Sequence, residues 1–181
     1  MPTINLPVQA NGELAGWSSI VGGTFGYDAI DESNDSDDDG DTSYIVLPRQ
    51  IGTAGIMSFR FFDGSENLIP TSVTIRTSIK LNSGNPEVEV GFYRGGATAF
   101  SMTTVIPGAQ YDDEETTFST NPFNASAWAA DDLLPMQPCL RMLSGAIGTA
   151  RVSLISVELS YRAALLSRAH SVSEDYGVMT A

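Results

Sequence analysis

An acidic segment is the part of this sequence best suited to metal chemistry. Residues 28–41 contain eight carboxylates and no basic side chain, and within them Asp35, Asp37 and Asp39 alternate before Gly40. This order matches the first half of a calcium-binding loop, where carboxylate oxygens surround one hard cation and the glycine allows a sharp turn. The three aspartates are therefore the candidate calcium ligands, and calcium is the only cofactor that the sequence suggests.

The second half of such a calcium loop is missing. Val46 occupies the twelfth position, where an EF-hand needs a bidentate glutamate. No helical pattern flanks the segment either. A solvated loop whose charges repel one another is the simpler interpretation. The acidic run at residues 112–115 is interpreted in the same way, as a turn before a strand.

The sequence contains no specific motif for catalysis. His170 is the single histidine, and the residues around it form no nucleophile elbow, so we expect an exposed histidine. Cys139 is the single cysteine and has apolar neighbours, where a buried thiol behaves as a small, inert hydrophobe. These two side chains cannot form an intrachain disulfide or a complete zinc site. We therefore predict that the protein is not an enzyme and has no catalytic or cofactor-binding residues.

Composition excludes further classes of function. The 181 residues include 22 acidic and 9 basic side chains, which gives a net charge of -13 and disfavours contact with nucleic acid or anionic membranes. Hydrophobic residues make up 42% of the chain, enough for the core of one domain. No stretch has the length of a membrane span, and the first residues do not form a secretion signal. We expect a soluble protein that is intracellular or is assembled in a cell and released with a particle.

Period-2 alternation predicts an all-β fold. In residues 71–81, Val73, Ile75, Ile79 and Leu81 share one face, as in a half-buried antiparallel strand. Residues 150–161 repeat this pattern, with a one-residue shift at Ile155–Ser156 that predicts a bulge. Further strands are predicted at residues 44–47, 55–62, 87–93, 100–106, 115–120 and 140–143. Glycine- and proline-containing turns separate them, which is typical of a sandwich.

The predicted architecture is a single antiparallel β-sandwich, most consistent with a jelly roll. One short helix is expected near Trp128, because Asn124–Leu134 is rich in alanine and begins with an N-capping asparagine; residues 165–170 could add one helical turn. We divide the chain into an N-terminal arm at residues 1–12, the sandwich at residues 13–161 and a C-terminal tail at residues 162–181.

The aromatic residues could form a sugar-stacking face or fill the core. In a sandwich of this size, large aromatic side chains more often lie between the sheets, so we favour the core. The side chains in question are Trp17, Tyr27, Tyr44, Phe92, Tyr93 and Trp128.

Several short motifs occur in a recognisable order along the chain. The series begins with Ile4–Leu6 and Gly16–Trp17. It continues with Tyr27–Glu32, an acidic gap that closes on Asp41–Ile45, the segment Asn121–Trp128, and a final strand ending in Val157–Tyr161. This order resembles a group of small proteins of tailed phages and related viruses, over roughly residues 4–161. The chain departs from the group where Phe123–Asn124 replaces a Thr-Gly pair, and in the twenty residues after Tyr161.

The resemblance implies a jelly-roll or lectin-like sandwich with a structural role in a virus particle. We expect a capsid-decorating or surface protein, assembled in the host cytoplasm, oligomeric, and docked onto other virion proteins through its terminal segments. One alternative is a lectin-like module of a tail or fibre that binds glycan. A second is a polysaccharide-degrading enzyme that uses two opposed carboxylates. No nucleic acid or membrane partner is expected.

Overall fold

Strands form almost all of the regular structure. A computed structural model describes residues 1–15, 19–21, 43–47, 56–61, 68–143 and 147–163. The ten strands are β1 Thr3–Ala15, β2 Ser19–Val21, β3 Tyr44–Leu47, β4 Ile56–Phe61, β5 Leu68–Asn85, β6 Val88–Arg94, β7 Ala97–Val105, β8 Asp112–Phe118, β9 Gln137–Met142 and β10 Ile147–Ala163. These ranges contain no helix, and so none capable of crossing a membrane.

The strands form two antiparallel sheets, which confirms the predicted β-sandwich. In the first sheet, β10 pairs along its whole length with β5, and β5 pairs in turn with β8. On its other side, β10 pairs with β3 and with the start of β1, and β3 pairs with β2. The second sheet has the order β1-β4-β9-β6-β7. All of these pairings are antiparallel, as the sequence alternation predicted.

Strand β1 belongs to both sheets, which corrects the prediction of a free arm at residues 1–12. Its first half, residues 3–7, pairs with β10, and its second half, residues 8–15, pairs with β4. Leu6 and Val8 are buried in the core. Removing these apolar side chains from water favours a strand integrated into the sandwich over an extended arm. The first strand therefore closes one side of the sandwich.

The core lies between the two sheets and follows the predicted alternation. Val73, Ile75 and Ile79 are fully buried on the inner face of β5, while Leu81 is only half-buried. In β10 a register shift lies between Val152 and Leu154, slightly before the bulge predicted at Ile155–Ser156. Because of this shift, the buried positions change from even-numbered to odd-numbered residues.

The segment predicted as a short helix, Asn124–Leu134, forms a series of turns instead. The turn begins at Asn121, whose main-chain oxygen accepts a hydrogen bond from the Ala125 N–H at 2.8 Å. Ala125 has a φ of 58°, a left-handed conformation that ends any helical course at that residue. The buried side chain of Trp128 then holds the chain against the core. Tertiary packing thus overrides the helical propensity of the alanines.

Candidate functional site

A cleft opens at the side of the sandwich opposite β1. Among the described strands, β7 pairs only with β6, and β8 pairs only with β5, so both are edge strands. They follow one another in the chain but belong to different sheets. The space between them is a cleft of about 700 Å³. Binding sites for small molecules usually have volumes of roughly 300–1,000 Å³, so this cleft is large enough for a ligand.

Strand β8 presents alternate side chains to the cleft and to the outside. Glu114 and Thr116 are half-buried and lie on the same face as the buried Phe118. Glu115 lies on the opposite face, where its carboxylate is 3.0 Å from the guanidinium of Arg76. Thr117 shares that outer face. The inner face of β8 therefore offers the cleft one carboxylate and one hydroxyl group.

Strand β7 contributes hydroxyl groups and apolar surface. Its pairing with β6 shifts register between Glu89 and Gly91, so extra residues bulge from β7 at this point. Within the bulge the Ser101 hydroxyl donates a hydrogen bond to the Thr103 carbonyl oxygen at 2.8 Å. Just beyond the strand, Ile106 is 68% exposed. The cleft therefore has polar groups next to an exposed apolar side chain.

The turn at Asn121 forms one end of the cleft. Asn121 is fully buried, and its side-chain oxygen accepts a hydrogen bond from the Phe123 N–H at 3.0 Å. Its main-chain N–H donates to the Ser126 carbonyl oxygen at 2.9 Å. The side-chain nitrogen, in contrast, has no hydrogen-bond partner among the described residues. Because Asn121 is fully buried, this unpaired donor is a cost to the fold rather than a group exposed to the cleft.

An aromatic side chain and an ion pair support the outer side of β7. Phe100 lines the cleft, and the guanidinium carbon of Arg141 lies 3.8 Å from the centre of its ring. Arg141 also forms an ion pair with Glu89. Attraction between the cation and the ring quadrupole restricts the phenyl group. The phenyl group on the outer side of β7 is thus held in place rather than free to rotate.

Most of the residues singled out from the sequence lie outside the part of the chain that the structure describes. The calcium candidates Asp35, Asp37 and Asp39 lie outside the described residues, as does His170. Cys139 is buried on the outer face of the second sheet, and burial raises the pKa of its thiol. Within the described ranges, no group of three or more His, Cys, Asp or Glu side chains could hold a metal ion.

Two of the six aromatic residues, Phe92 and Trp128, lie in the core between the sheets, as predicted. Phe92 and Trp128 are buried, with their ring centres 6.4 Å apart in an edge-to-face arrangement. Tyr93 is also buried, on the outer face of the second sheet. Tyr44 is half-buried beneath the guanidinium of Arg151. Trp17 and Tyr27 lie outside the described residues. The described members of this set therefore form no exposed sugar-stacking face.

Sequence reasoning missed the residues of the cleft. The acidic run at residues 112–115, predicted as a turn, is the start of β8, which pairs in register with Arg76–Ile79 of β5. The period-2 spacing of Glu114, Thr116 and Phe118 in β8 was the available signal. It could show that Glu114 and Thr116 share a face with Phe118, but not that this face opens onto a cleft.

Comparisons with known proteins identify no family. No protein-family model matches the chain, and neither does any curated protein. A solved structure described as BiXyn10A CBM1 in its apo form is similar to it at a TM-score of 0.40 with 10% sequence identity, over 88% of this chain and 93% of the other.

Proposed function

We propose that the protein is a non-catalytic β-sandwich that binds a neutral glycan in the cleft between β7 and β8. The observation that carries this proposal is the lining of the cleft. Hydroxyl groups of Thr103 and Thr116 and the carboxylate of Glu114 lie there together with the exposed apolar surface of Ile106. A sugar can use all of these groups at once.

A sugar matches this lining because it is amphipathic. Its hydroxyl groups both donate and accept hydrogen bonds, which suits threonine and glutamate side chains. The C–H groups on the face of a sugar ring are apolar and pack against aliphatic or aromatic side chains. The cleft is partly open to solvent, so that a sugar chain could enter it. This supports the lectin-like alternative among the functions predicted from the sequence.

The absence of catalysis is part of the same proposal. Hydrolysis of a glycosidic bond usually needs two carboxyl groups that flank the bond. Of the two described carboxylates that line the cleft, Glu114 is on the inner face of β8, whereas Glu115 is on the outer face and paired with Arg76. Adjacent residues of a strand point to opposite faces, so these two groups do not face one another. This geometry favours binding over hydrolysis.

Calorimetric titration with neutral hexasaccharides tests the glycan site. The probes are maltohexaose, cellohexaose and mannohexaose, and we expect saturable binding of at least one. Glu114→Gln and Thr116→Val should each weaken that binding by about three- to tenfold, since the first replaces a charged acceptor by a neutral amide and the second removes a hydroxyl group, a loss worth about 0.5–1.5 kcal/mol. Asp113→Asn on the outer face of β8 and Thr98→Val near the β6-β7 turn are the matched controls.

Two results would contradict the glycan proposal. One is the lack of saturable binding to all three hexasaccharides. The other is binding that Glu114→Gln and Thr116→Val leave unchanged. Slow release of reducing sugar from a bound hexasaccharide would contradict the non-catalytic part alone. If Glu114→Gln then abolished that release, the enzyme alternative would replace the binding role.

We further propose that this sandwich is displayed on the surface of a tailed-virus particle. The order of motifs described above supports this role, as does the net charge of -13, which would keep a densely displayed protein soluble. The buried Asn121 gives the segment Asn121–Trp128 a structural reason to be part of such a motif. Because β1 is part of the sandwich, we assign docking onto the particle to the residues that follow β10. These residues would contact another copy of the chain or other virion proteins.

Truncation and labelling test this placement. Arg162 and Ala163 pair with Ile69 and Leu68 of β5, so the truncation should remove only residues 164–181. The truncated protein should fold with an unchanged melting temperature but fail to join particles. Immunogold labelling of intact particles should show the full-length protein on their surface. Full incorporation of the truncated protein, or particles without label, would contradict the proposal.

A further inference from the structure

A second pocket of about 450 Å³ lies at the end of the second sheet, where four strands contribute to it. Glu13 comes from β1, Arg60 from β4, Arg94 from β6 and Gln137 from the start of β9. The loop before β9 adds apolar surface, including Leu134, which is 48% exposed. The pocket thus combines opposite charges, an amide and an apolar side chain.

The Glu13 carboxylate is held in a fixed position. One of its oxygens accepts a hydrogen bond from the Tyr93 hydroxyl at 2.8 Å, and the other accepts one from the Gln137 side-chain N–H at 3.4 Å. Gln137 is anchored in turn, because its side-chain oxygen accepts hydrogen bonds from the Glu13 N–H at 2.9 Å and from the Ser58 hydroxyl at 2.8 Å. Gly12 permits this approach, since a Cβ atom there would collide with Gln137 and Ser58.

Two arginines supply positive charge to the same pocket. The guanidinium carbon of Arg94 lies 4.6 Å from the centre of the Phe123 ring, which restricts the side chain. Arg60 is exposed, on the outer face of β4. Among the described residues that line the pocket, there are thus two guanidinium groups and one carboxylate, a positive balance in a chain whose net charge is -13.

We propose that this pocket binds a sugar that carries a carboxylate, such as a uronic acid. A guanidinium group forms two parallel hydrogen bonds with a carboxylate, which suits Arg60 and Arg94 to the acidic group of the ligand. The Glu13 carboxylate accepts hydrogen bonds from ring hydroxyl groups. Leu134 contacts the apolar face of the ring. The volume is sufficient for a ligand of one or two sugar rings.

A matched pair of sugars tests the charge requirement. D-glucuronate and D-glucose differ at C6, where a carboxylate replaces a hydroxymethyl group. The full-length protein, labelled with ¹⁵N, is titrated with each sugar and followed by NMR. We expect saturable shifts near Glu13, Arg60 and Gln137 with glucuronate, and at least about tenfold weaker binding of glucose. Added salt should weaken glucuronate binding, because ions screen the charges.

Variants separate this pocket from the cleft. Arg60→Gln should weaken glucuronate binding by about tenfold, whereas Arg162→Gln, an exposed arginine on the other sheet, should not change it. Glu114→Gln in the cleft should not change it either, so a failure of this proposal is distinct from a failure of the glycan proposal. Equal affinity for the two sugars, no saturable shifts with glucuronate, or equal behaviour of Arg60→Gln and Arg162→Gln would overturn it.

Discussion

The indole N–H of Trp128 donates a hydrogen bond at 3.0 Å to the main-chain oxygen of Phe118, the last residue of β8. Both side chains are buried, and both pack edge-to-face against Phe92 on the opposite sheet. The bond therefore fastens the turn that begins at Asn121 to the end of a cleft strand. One side chain thus connects the core of the sandwich with the geometry of the candidate site.

Replacing this tryptophan tests the connection. Trp128→Phe should lower the free energy of unfolding by about 2–4 kcal/mol, because it removes buried apolar volume and leaves the Phe118 carbonyl oxygen unpaired. Urea unfolding monitored by circular dichroism measures the change. Leu134→Ala, at an exposed position in the same segment, is the control and should change stability by less than Trp128→Phe. If both variants had the same effect, the hydrogen bond would not have the role described here.

A buried hydroxyl group in β5 predicts a stabilising substitution. The Thr77 hydroxyl is buried and has no hydrogen-bond partner among the described residues. Thr77→Val keeps the shape of the side chain and removes the unpaired group, so it should raise the free energy of unfolding by about 1 kcal/mol. Thr98→Val, at an exposed position in β7, should leave it nearly unchanged. A lower melting temperature for Thr77→Val would contradict this prediction.

The charged group on the outer face of the first sheet should contribute little to stability. Arg76 lies 3.0 Å from Glu115 and 2.9 Å from Glu158, but all three side chains are partly exposed. Water screens such pairs, so Glu115→Gln and Glu158→Gln should each cost less than about 1 kcal/mol. The difference in the free energy of unfolding between the wild-type protein and each variant should become smaller as the salt concentration rises. A loss that is large and independent of salt would be inconsistent with this view.

Tyr93 should ionise later than an ordinary tyrosine. Its hydrogen bond to Glu13 raises the pKa of the phenol above 10.0, with a smaller contribution from burial. A raised pKa in the folded state means that the stabilisation is complete below the unfolded-state pKa and is lost as pH rises through the folded-state value. Ultraviolet titration of the phenolate should therefore contain a late component that is absent in Tyr93→Phe and shifts to lower pH in Glu13→Gln.

Cys139 should be unreactive in the folded protein. Burial raises the pKa of its thiol, and the nearby charge of Arg141 opposes this only in part. Since the thiolate is the nucleophile, a thiol reagent should label the folded protein far more slowly than the urea-unfolded protein. Mass spectrometry after timed labelling measures both rates. Comparable rates in the two states would mean that this side of the second sheet is accessible.

The alternation of apolar residues was sufficient to predict much of the sandwich. Val73, Ile75 and Ile79 all face the core, because a strand with one buried face must repeat every two residues. The sequence did not predict the first strand, although Leu6 and Val8 also alternate. Polar residues surround these two side chains, and the segment contains few large apolar residues. The helix near Trp128 was wrong because tertiary contacts, which the local composition does not contain, determine the conformation there.

The candidate site could not be predicted from the sequence. Alternation shows which residues share a face, but it does not show which strands become neighbours. Glu114 and Thr103 belong to a cleft only because β7 and β8 are the open edges of two different sheets. The second pocket has the same origin, since Glu13 and Gln137 lie 124 positions apart in the chain. Both sites depend on long-range pairing.

Mapping of a bound hexasaccharide by NMR tests the central claim most directly. Backbone amide shifts of the ¹⁵N-labelled protein are followed during titration with whichever neutral hexasaccharide binds by calorimetry. We expect the largest shifts at residues 101–106, in and just after β7, and at residues 114–121, from β8 to the turn that begins at Asn121. Largest shifts on β1 or β10, or no shifts with any of the three hexasaccharides, would contradict a glycan site in this cleft.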